Sequence, residues 1–423
     1  MNVMNKIQQN SLLLVNSVPL REIDGQLGLD DQTCAGLVRW AENFERVVIA
    51  GPSLPEHIAV TKESSTAGTV WQPLTDLPCA DQLEFVPLPY AYKLRDFTKV
   101  YAKTRRLLQE KIHENQYLCF VIARPIGDWG GIAALEAIKL GRPYTAWLDR
   151  VEYEVISRTL QSLPLKSRIK EFLHLPLMKR YQQYLIRQSS LGLFQGQDCY
   201  QAYSPFCKQP HCIYDVHTKK SDQIDESSIN LKIESLKSNE PLLICYVGRA
   251  ADMKGPFDWL HIIHRICQAG VNVKATWFGD GPLLLKMKLL TQELGIGEHV
   301  NLVGFVNDQT KILQTMRENH IFLFCHKTPE SPRCLIESIV SGCPIVGYDS
   351  SYSQDLVSRY GGGAFVPMND WQKLADLVIE LNSDRSRLSK LIRAAALSGQ
   401  FFDEETVYQQ RSDLIQKYSG FTF

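Results

Sequence analysis

The chain has 423 residues, 46 Lys and Arg against 46 Asp and Glu, a formal net charge of zero and 44% hydrophobic side chains. That composition describes a globular protein of two or three domains, each long enough to bury its own core. It lacks the concentrated positive surface that phosphate neutralisation needs, so nucleic acid is not an expected partner.

The N-terminal stretch carries only a short apolar run at 12–15. No run in the chain approaches the 18 or so apolar residues of a membrane span, and no signal peptide is recognisable, which predicts a cytoplasmic protein. The eleven cysteines include no CxxC pair. Neither a disulfide framework nor a structural zinc site is expected, and Cys119, Cys245 and Cys325 lie in apolar runs where a thiol packs as a small hydrophobe. Cys207 and Cys212 form the one close pair to check.

In chain order, LLLVNSV, RVVIAG, LCFVIARP, PYTAWLD and LGLFQG read as buried strands, with helices over 32–43, 93–111 and 131–140 between them. The stretch 157–187 differs in character. It sets Arg158, Lys166, Arg168, Lys170, Lys179, Arg180 and Arg187 against the single acid Glu171, interleaved with Leu160, Leu165, Ile169, Phe172, Leu173, Leu177, Tyr181 and Leu185. Such a basic amphipathic stretch suits an anionic membrane surface; the alternative is a helix packed on its own domain with snorkelling cations. Residues 208–240 are polar, with Ser221, Ser227 and Ser228 and no clear period, and are expected to be a linker. A second series of strands follows, PLLICYVG, VKATWFG, HVNLVGF, HIFLFCH, CPIVGYD and GGAFVP, and a helical terminal segment over 401–423 is expected to pack back toward the first domain. Strands alternating with helices predict an α/β protein with two doubly wound parallel sheets, divided as 1–207, 208–240, 241–400 and 401–423.

Three elements of the second series could carry chemistry. After LLICYVG come Gly248, Arg249, Lys254 and Gly255, two cations in a strand-to-helix turn where fixed charge and helix amides suit a diphosphate. The turn Gly279-Asp280-Gly281-Pro282 follows the next strand, and its glycines permit close backbone approach to a ligand. In HKTPESPRCLIESIVSGCPIVGYD, Glu330 and Glu337 bracket a helix start, and the amides of Ser331, Arg333, Cys334 and Leu335 are candidates for the open donors of its first turn. Taken singly, each also reads as a solvated pair, a tight turn or a cap.

Together with Gly304-Phe305-Val306, these motifs resemble the donor half of the retaining GT-B glycosyltransferases, family 4 (group 1 glycosyl transferases), over about 241–396. DGQLGLDD near Asp24, and the segment from Gly127 to Asp149, resemble the family's first half more loosely. The resemblance implies two Rossmann-like domains facing across a cleft. It implies a nucleotide diphosphate sugar such as a UDP-sugar as donor, a glycan or lipid-linked acceptor, and no metal or other cofactor. Arg249 and Lys254 match the pair that neutralises the diphosphate, Glu337 the residue on the ribose, Glu330 the one against the transferred sugar, and Phe305 and Val306 the segment lining the base. Gly248, Gly279, Gly281, Ser331, Arg333, Cys334 and Leu335 fall in the same donor site. Asp24, Gly25, Gly28, Gly130, Gly131 and the acid Asp149 fall on the acceptor side, with catalysis expected of Glu330, Arg249, Lys254 and Asp149.

Two departures stand out. Six residues separate Glu330 from Glu337 where the family has seven, and the residues about Asp149 are Trp147, Leu148 and Arg150 rather than a His. The chain has no DxD motif for a divalent ion. The alternatives to a transferase are a nucleotide-sugar epimerase of the same fold and a non-catalytic nucleotide-sugar-binding partner. His326 is a candidate donor-site liner or structural residue, and His261 and His264 read as surface residues.

Overall fold

Each of the apolar runs named above forms a parallel strand in the computed structural model, which describes residues 8–23, 25–56, 70–160, 164–236, 240–328 and 330–421. The chain separates into two units, residues 1–217 with 405–423 and residues 218–404.

Unit 1 is built on β1 (Gln8–Val15), β2 (Arg21–Ile23), β3 (Gln26–Asp30), β4 (Arg46–Pro52), β5 (Trp71–Pro73), β6 (Leu83–Leu88), β7 (Asn115–Val121), β8 (Thr145–Leu148), β9 (Leu191–Gln195) and β10 (Pro210–Ile213). Seven of these form one sheet in the order β10-β9-β8-β7-β1-β4-β6. Leu13 pairs with Val48 on one side and Leu118 on the other. Alternate residues of the central strand feed opposite cores, the reason it is apolar without interruption. Leu13 and Val15 join Leu108, Ile112, Ile132 and Leu185 on one face. Leu12 and Leu14 join Leu37, Trp40, Tyr408 and Ile415 on the other. Tyr408 and Ile415 belong to the terminal helix Glu404–Ser419, which packs in unit 1 with Tyr408 edge-on to Trp40 at 5.2 Å.

The remaining strands β2, β3 and β5 make a small antiparallel sheet. It holds two of the residues expected on the acceptor side: Gly25 in the β2–β3 turn and Gly28 inside β3, where a Cβ would crowd Ile23 and lie 2.9 Å from the Gln72 carbonyl. Packing alone requires glycine at 28. Asp24 lies outside the described residues.

Unit 2 contains β11 (Leu242–Val247), β12 (Val273–Phe278), β13 (Val300–Gly304), β14 (Ile321–Phe324), β15 (Ile345–Tyr348) and β16 (Gly363–Val366), all parallel, in the order β13-β12-β11-β14-β15-β16. Its winding reverses between β11 and β14. In such sheets the crevice beyond the strand ends at the reversal is the place a ligand binds.

The segment 208–240 is not a plain linker. The unit boundary falls within it, but it also supplies the edge strand β10 and the helix Glu226–Ser235. Asp225 caps that helix through the Ser228 amide, and its Lys232 is buried, donating to the carbonyls of Met316, Ser341 and Gly342. A buried cation held by three carbonyls replaces the apolar stripe that would have marked the helix in the sequence.

Candidate functional site

Three loops meet at the reversal point of unit 2. The β11 loop turns through Gly248 and Arg249 into the short turn Asp252–Lys254 and then the helix Pro256–Gln268. Gly255 has φ +61°, and a Cβ there would lie 2.8 Å from that of Cys325, beyond β14. Gly279, after β12, has φ +141°, and a Cβ there would fall on the Gly248 carbonyl. No L side chain fits either position, so glycine lets the loops close on one another. Hydrogen bonds join them: Ala250 N to the Asp280 carbonyl at 2.9 Å, Leu283 N to the Ala250 carbonyl at 3.0 Å, and Lys327 N to the Met253 carbonyl at 2.9 Å. Gly281 packs against the Ala250 backbone.

The charged residues expected from the sequence converge here. Lys254 Nζ donates to Glu330 Oε1 at 2.7 Å, with the two side chains 14% and 19% exposed. The helix Arg333–Val340 starts at Pro332 with no side-chain cap. Cys334, in its first turn, feels the charges of Lys254, Glu337, Glu330 and Arg333 together, which places all four around one thiol. Burial, the largest influence, pushes that thiol up to about 12, so it stays protonated. Ser331 and Glu337 are half-buried, while Leu335 turns into the core. Arg249 is exposed, and among the described residues nothing pairs with its guanidinium. Phe305, 53% exposed, and the half-buried Val306 follow β13 two strands away.

Beneath this edge lies a pair that the sequence did not announce. His326 Nε2 and the Tyr246 hydroxyl are 2.8 Å apart, and both residues are buried. Burial, then Lys254, holds His326 well below the usual imidazole range, so it is neutral and acts as a support rather than a charged ligand. Its neighbour Lys327 pairs with Asp258 at 2.8 Å, and Tyr348 donates to the same carboxylate at 2.6 Å. His261 is half-buried against Trp371 rather than fully on the surface.

Unit 1 has its own reversal point, between β1 and β7, and a pocket of about 520 Å³ opens there. Asp128 and Asp149 line it together with Tyr92, Arg124, Arg150 and Glu152. Asp128 caps the helix Trp129–Lys139 through the Gly130 amide and also accepts from Ala123 N at 2.8 Å. Burial outweighs these bonds and pushes its carboxyl up to about 7. Gly130 and Gly131 lie buried in the first turn, pressed against the Val121 backbone and the Tyr181 ring, so they set the helix approach rather than touch the pocket space. Asp149 does not cap the following helix, whose N-cap is Val151. It keeps open surface, yet crowding and Asp215 push it up to about 6 against the pull of Arg411 and Arg150.

The basic amphipathic stretch forms the helix Leu165–Gln188. Met178, Leu185 and Ile186 face the core, but Leu165, Ile169, Phe172, Leu173 and Leu177 are each more than half exposed. Packing on its own unit therefore accounts for only part of the apolar content. No helix among the described residues is long and apolar enough to cross a membrane. All eleven cysteines are free, Cys207 and Cys212 included. Among the described residues, no cluster of three or more His, Cys, Asp or Glu could hold a metal ion.

Comparison with known proteins agrees with this geometry. Residues 228–397, nearly all of unit 2, match the family described as Glycosyl transferases group 1. An exopolysaccharide phosphotransferase of Streptomyces coelicolor is 28% identical over 139 residues, 33% of this chain and 14% of that protein. The Vi polysaccharide biosynthesis protein VipC/TviE of Salmonella typhi is 26% identical over 142 residues, 34% of this chain and 21% of that protein. The matched segments thus span less than a quarter of either relative. Among solved structures, Anabaena HepE in complex with UDP superposes with a TM-score of 0.65 at 16% identity, over 97% of this chain and 100% of that one. The fold is GT-B, with two Rossmann-like sheets, and its second unit carries the group 1 glycosyl transferase match.

Proposed function

We propose that the protein transfers a sugar from a nucleotide diphosphate sugar to a glycan or lipid-linked acceptor, with retention and without a metal ion, in polysaccharide or glycoconjugate assembly. The observation that carries this reading is the Lys254–Glu330 pair. It lies at the reversal point of a parallel sheet, against an uncapped helix start and inside the segment that matches the family. HepE was solved with UDP, and we take UDP as the nucleotide.

Transfer builds positive character at the anomeric carbon while negative charge gathers on the departing diphosphate, so the protein's main task is to hold that charge. Arg249 is the open cation that meets it, and the first-turn amides after Pro332 add a fixed positive field. Lys254, held by Glu330 in the absence of donor, exchanges part of that pairing for the diphosphate. Glu330 is thereby released toward the sugar, and Glu337, about one turn inside the helix, is assigned to the ribose, even though one residue fewer separates them. Asp149 faces the acceptor. A donor-only incubation tests the class of reaction: nucleoside diphosphate released only when an acceptor is present supports transfer, whereas rearranged or hydrolysed sugar at full rate without acceptor indicates an epimerase. Binding without any turnover across acceptor extracts indicates a non-catalytic partner.

Peripheral contact with an anionic membrane is part of the proposal. Full burial of each exposed apolar side chain on the helix Leu165–Gln188 is worth about 1.5–3 kcal/mol, and each basic residue near an anionic surface adds about 1 kcal/mol. Arg168, Lys179, Arg180 and Arg187 supply that charge on the same helix.

A further inference from the structure

The Tyr246–His326 pair has a free end at the candidate site of unit 2. His326 follows β14 at the reversal point and is 6% exposed, with Nε2 taken up by the Tyr246 hydroxyl at 2.8 Å. Its other nitrogen, Nδ1, has no partner among the described residues, and it is not one of the polar atoms that the core seals unpaired, as it does the indole nitrogens of Trp259 and Trp277. Two residues on, the Thr328 hydroxyl is buried and also lacks a partner. Unpaired polar groups in a fold are costly and rare, so a buried segment that leaves two of them beside Lys254 and Glu330 is short of a ligand. We propose that His326 donates from Nδ1 to the sugar-bearing phosphate of the nucleotide diphosphate sugar, and that Tyr246 decides which ring nitrogen holds the proton. The inference rests on the transferase reading and adds a neutral hydrogen-bond donor to its cations.

The position of the proton follows from what the core closes off. The Tyr246 hydroxyl lies beneath Gly248, where a Cβ would come within 2.5 Å of it, and the residue has no exposed surface. Burial holds the phenol well above its usual range, so it keeps its proton. Nε2 is the one acceptor it has among the described residues. The other tautomer, with Nε2 protonated, would leave that O–H sealed and unpaired, so the phenol donates and Nε2 accepts. The imidazole is neutral and carries one proton, which therefore sits on Nδ1. Phe324, with ring centroids 5.3 Å away, and Tyr246, edge-on at 5.7 Å, hold the ring in place.

The neighbours of the ring select the group it meets. Lys254 is the charge that acts on His326, and an N–H donor standing in the field of an ammonium suits an anion. Lys254 is bonded in turn to Glu330, the residue assigned to the transferred sugar. The phosphate next to that sugar is therefore the one in common reach of Lys254 and His326. As the bond to the sugar breaks, its electron pair goes to the bridging oxygen of this phosphate. A neutral N–H, fixed beforehand by packing and by Tyr246, stabilises that charge without reorganising and without adding to the cations of the unliganded site.

The test is isothermal titration of the full-length protein with UDP and with UMP, which lacks the second phosphate. His326→Phe keeps the ring and removes both nitrogens; UDP affinity should fall about tenfold or more while UMP affinity stays within about twofold. That variant strands the Tyr246 hydroxyl in the core, so His326→Phe/Tyr246→Phe is titrated beside it and should show the same loss. His326→Asn places an amide nitrogen one bond beyond Cγ, where Nδ1 stands, and should restore most of the UDP affinity. Tyr246→Phe alone lets Nε2 take the proton and should weaken UDP and spare UMP, with no further loss in the His326→Asn background. UDP affinity unchanged in the double Phe variant, equal losses of UDP and UMP, or no recovery in His326→Asn overturns the proposal and leaves the transferase reading standing. A wild-type protein that binds neither nucleotide overturns both.

Discussion

Replacing Lys254 by Met keeps the aliphatic stem and removes the ammonium that lies 2.7 Å from Glu330 Oε1. At an effective dielectric near 20, a unit charge about 4 Å from one diphosphate charge interacts by about 4 kcal/mol. That is a ceiling, because Glu330 already shares the ammonium. Losses for a single electrostatic donor run about 2.7–4 kcal/mol, so kcat/KM is expected to fall about 10²–10³-fold. Stability should suffer far less. Glu330 keeps a route to water at 19% exposure, and losing such a pair costs on the order of 1 kcal/mol, or roughly 2–4 °C in melting temperature. Nucleoside diphosphate release under saturating acceptor, read beside a melting curve, separates the two effects. The Lys254→Met/Glu330→Gln double variant adds a second check: if Lys254 served only to place Glu330, the double variant would be no slower than Glu330→Gln alone. A loss below tenfold, with the melting temperature within that window, would refute the assignment of Lys254 to the diphosphate.

Gly279→Val should drive the β12 loop off the Gly248 carbonyl; UDP affinity falls more than tenfold in a titration, with a melting temperature lower by several degrees, and unchanged affinity would dismiss the loop closure. Asp128 has its carboxyl raised from an ordinary value of 3.8 to about 7, so the folded protein keeps a proton that the unfolded chain releases between these values. Its contribution to stability therefore falls as pH rises through about 4 to 7, by up to about 4 kcal/mol. Urea unfolding at pH 5 and pH 7 should show a smaller loss on raising the pH in Asp128→Asn than in wild type, and equal changes in the two proteins would show that Asp128 does not titrate there. Phe172→Ser with Leu173→Ser should abolish flotation with anionic liposomes at low salt and leave the melting temperature within about 1 °C, since both side chains are more than 60% exposed; undiminished flotation would remove this helix from the membrane contact.

The legible part of the fold was the part buried on both faces. LLLV in β1 is a continuous apolar run because each residue enters one core or the other, and in LLICYV of β11 Leu242, Ile244, Cys245 and Tyr246 are fully buried. The missed strands are short or half-open: β6 contains Pro87, β10 opens on Pro210 at the sheet edge, and β2, β3 and β5 form a small separate sheet. At the candidate site, glycine and charge at strand ends pointed to 248–255, 279–282 and 330–337, since each such loop joins consecutive elements and can be read locally. Tyr246 with His326, and Arg124 with Glu152, were invisible because their partners are 80 and 28 residues apart and meet only when the sheet forms. Asp128 was hidden differently. It caps a helix, and only its burial, working against the hydrogen bonds from Ala123 and Ser17, turns the cap into a carboxyl raised to about 7.

In the proposed reaction, the strand-end cluster of unit 2 holds a nucleoside diphosphate by protein charge alone. Thermal melting against UDP, GDP and ADP, with and without EDTA, tests it most directly, because a ligand that binds only the folded state must raise its melting temperature. The expected result is a shift with UDP that EDTA leaves unchanged and Lys254→Met removes. No shift with any of the three, or a shift that requires a divalent ion, would contradict it.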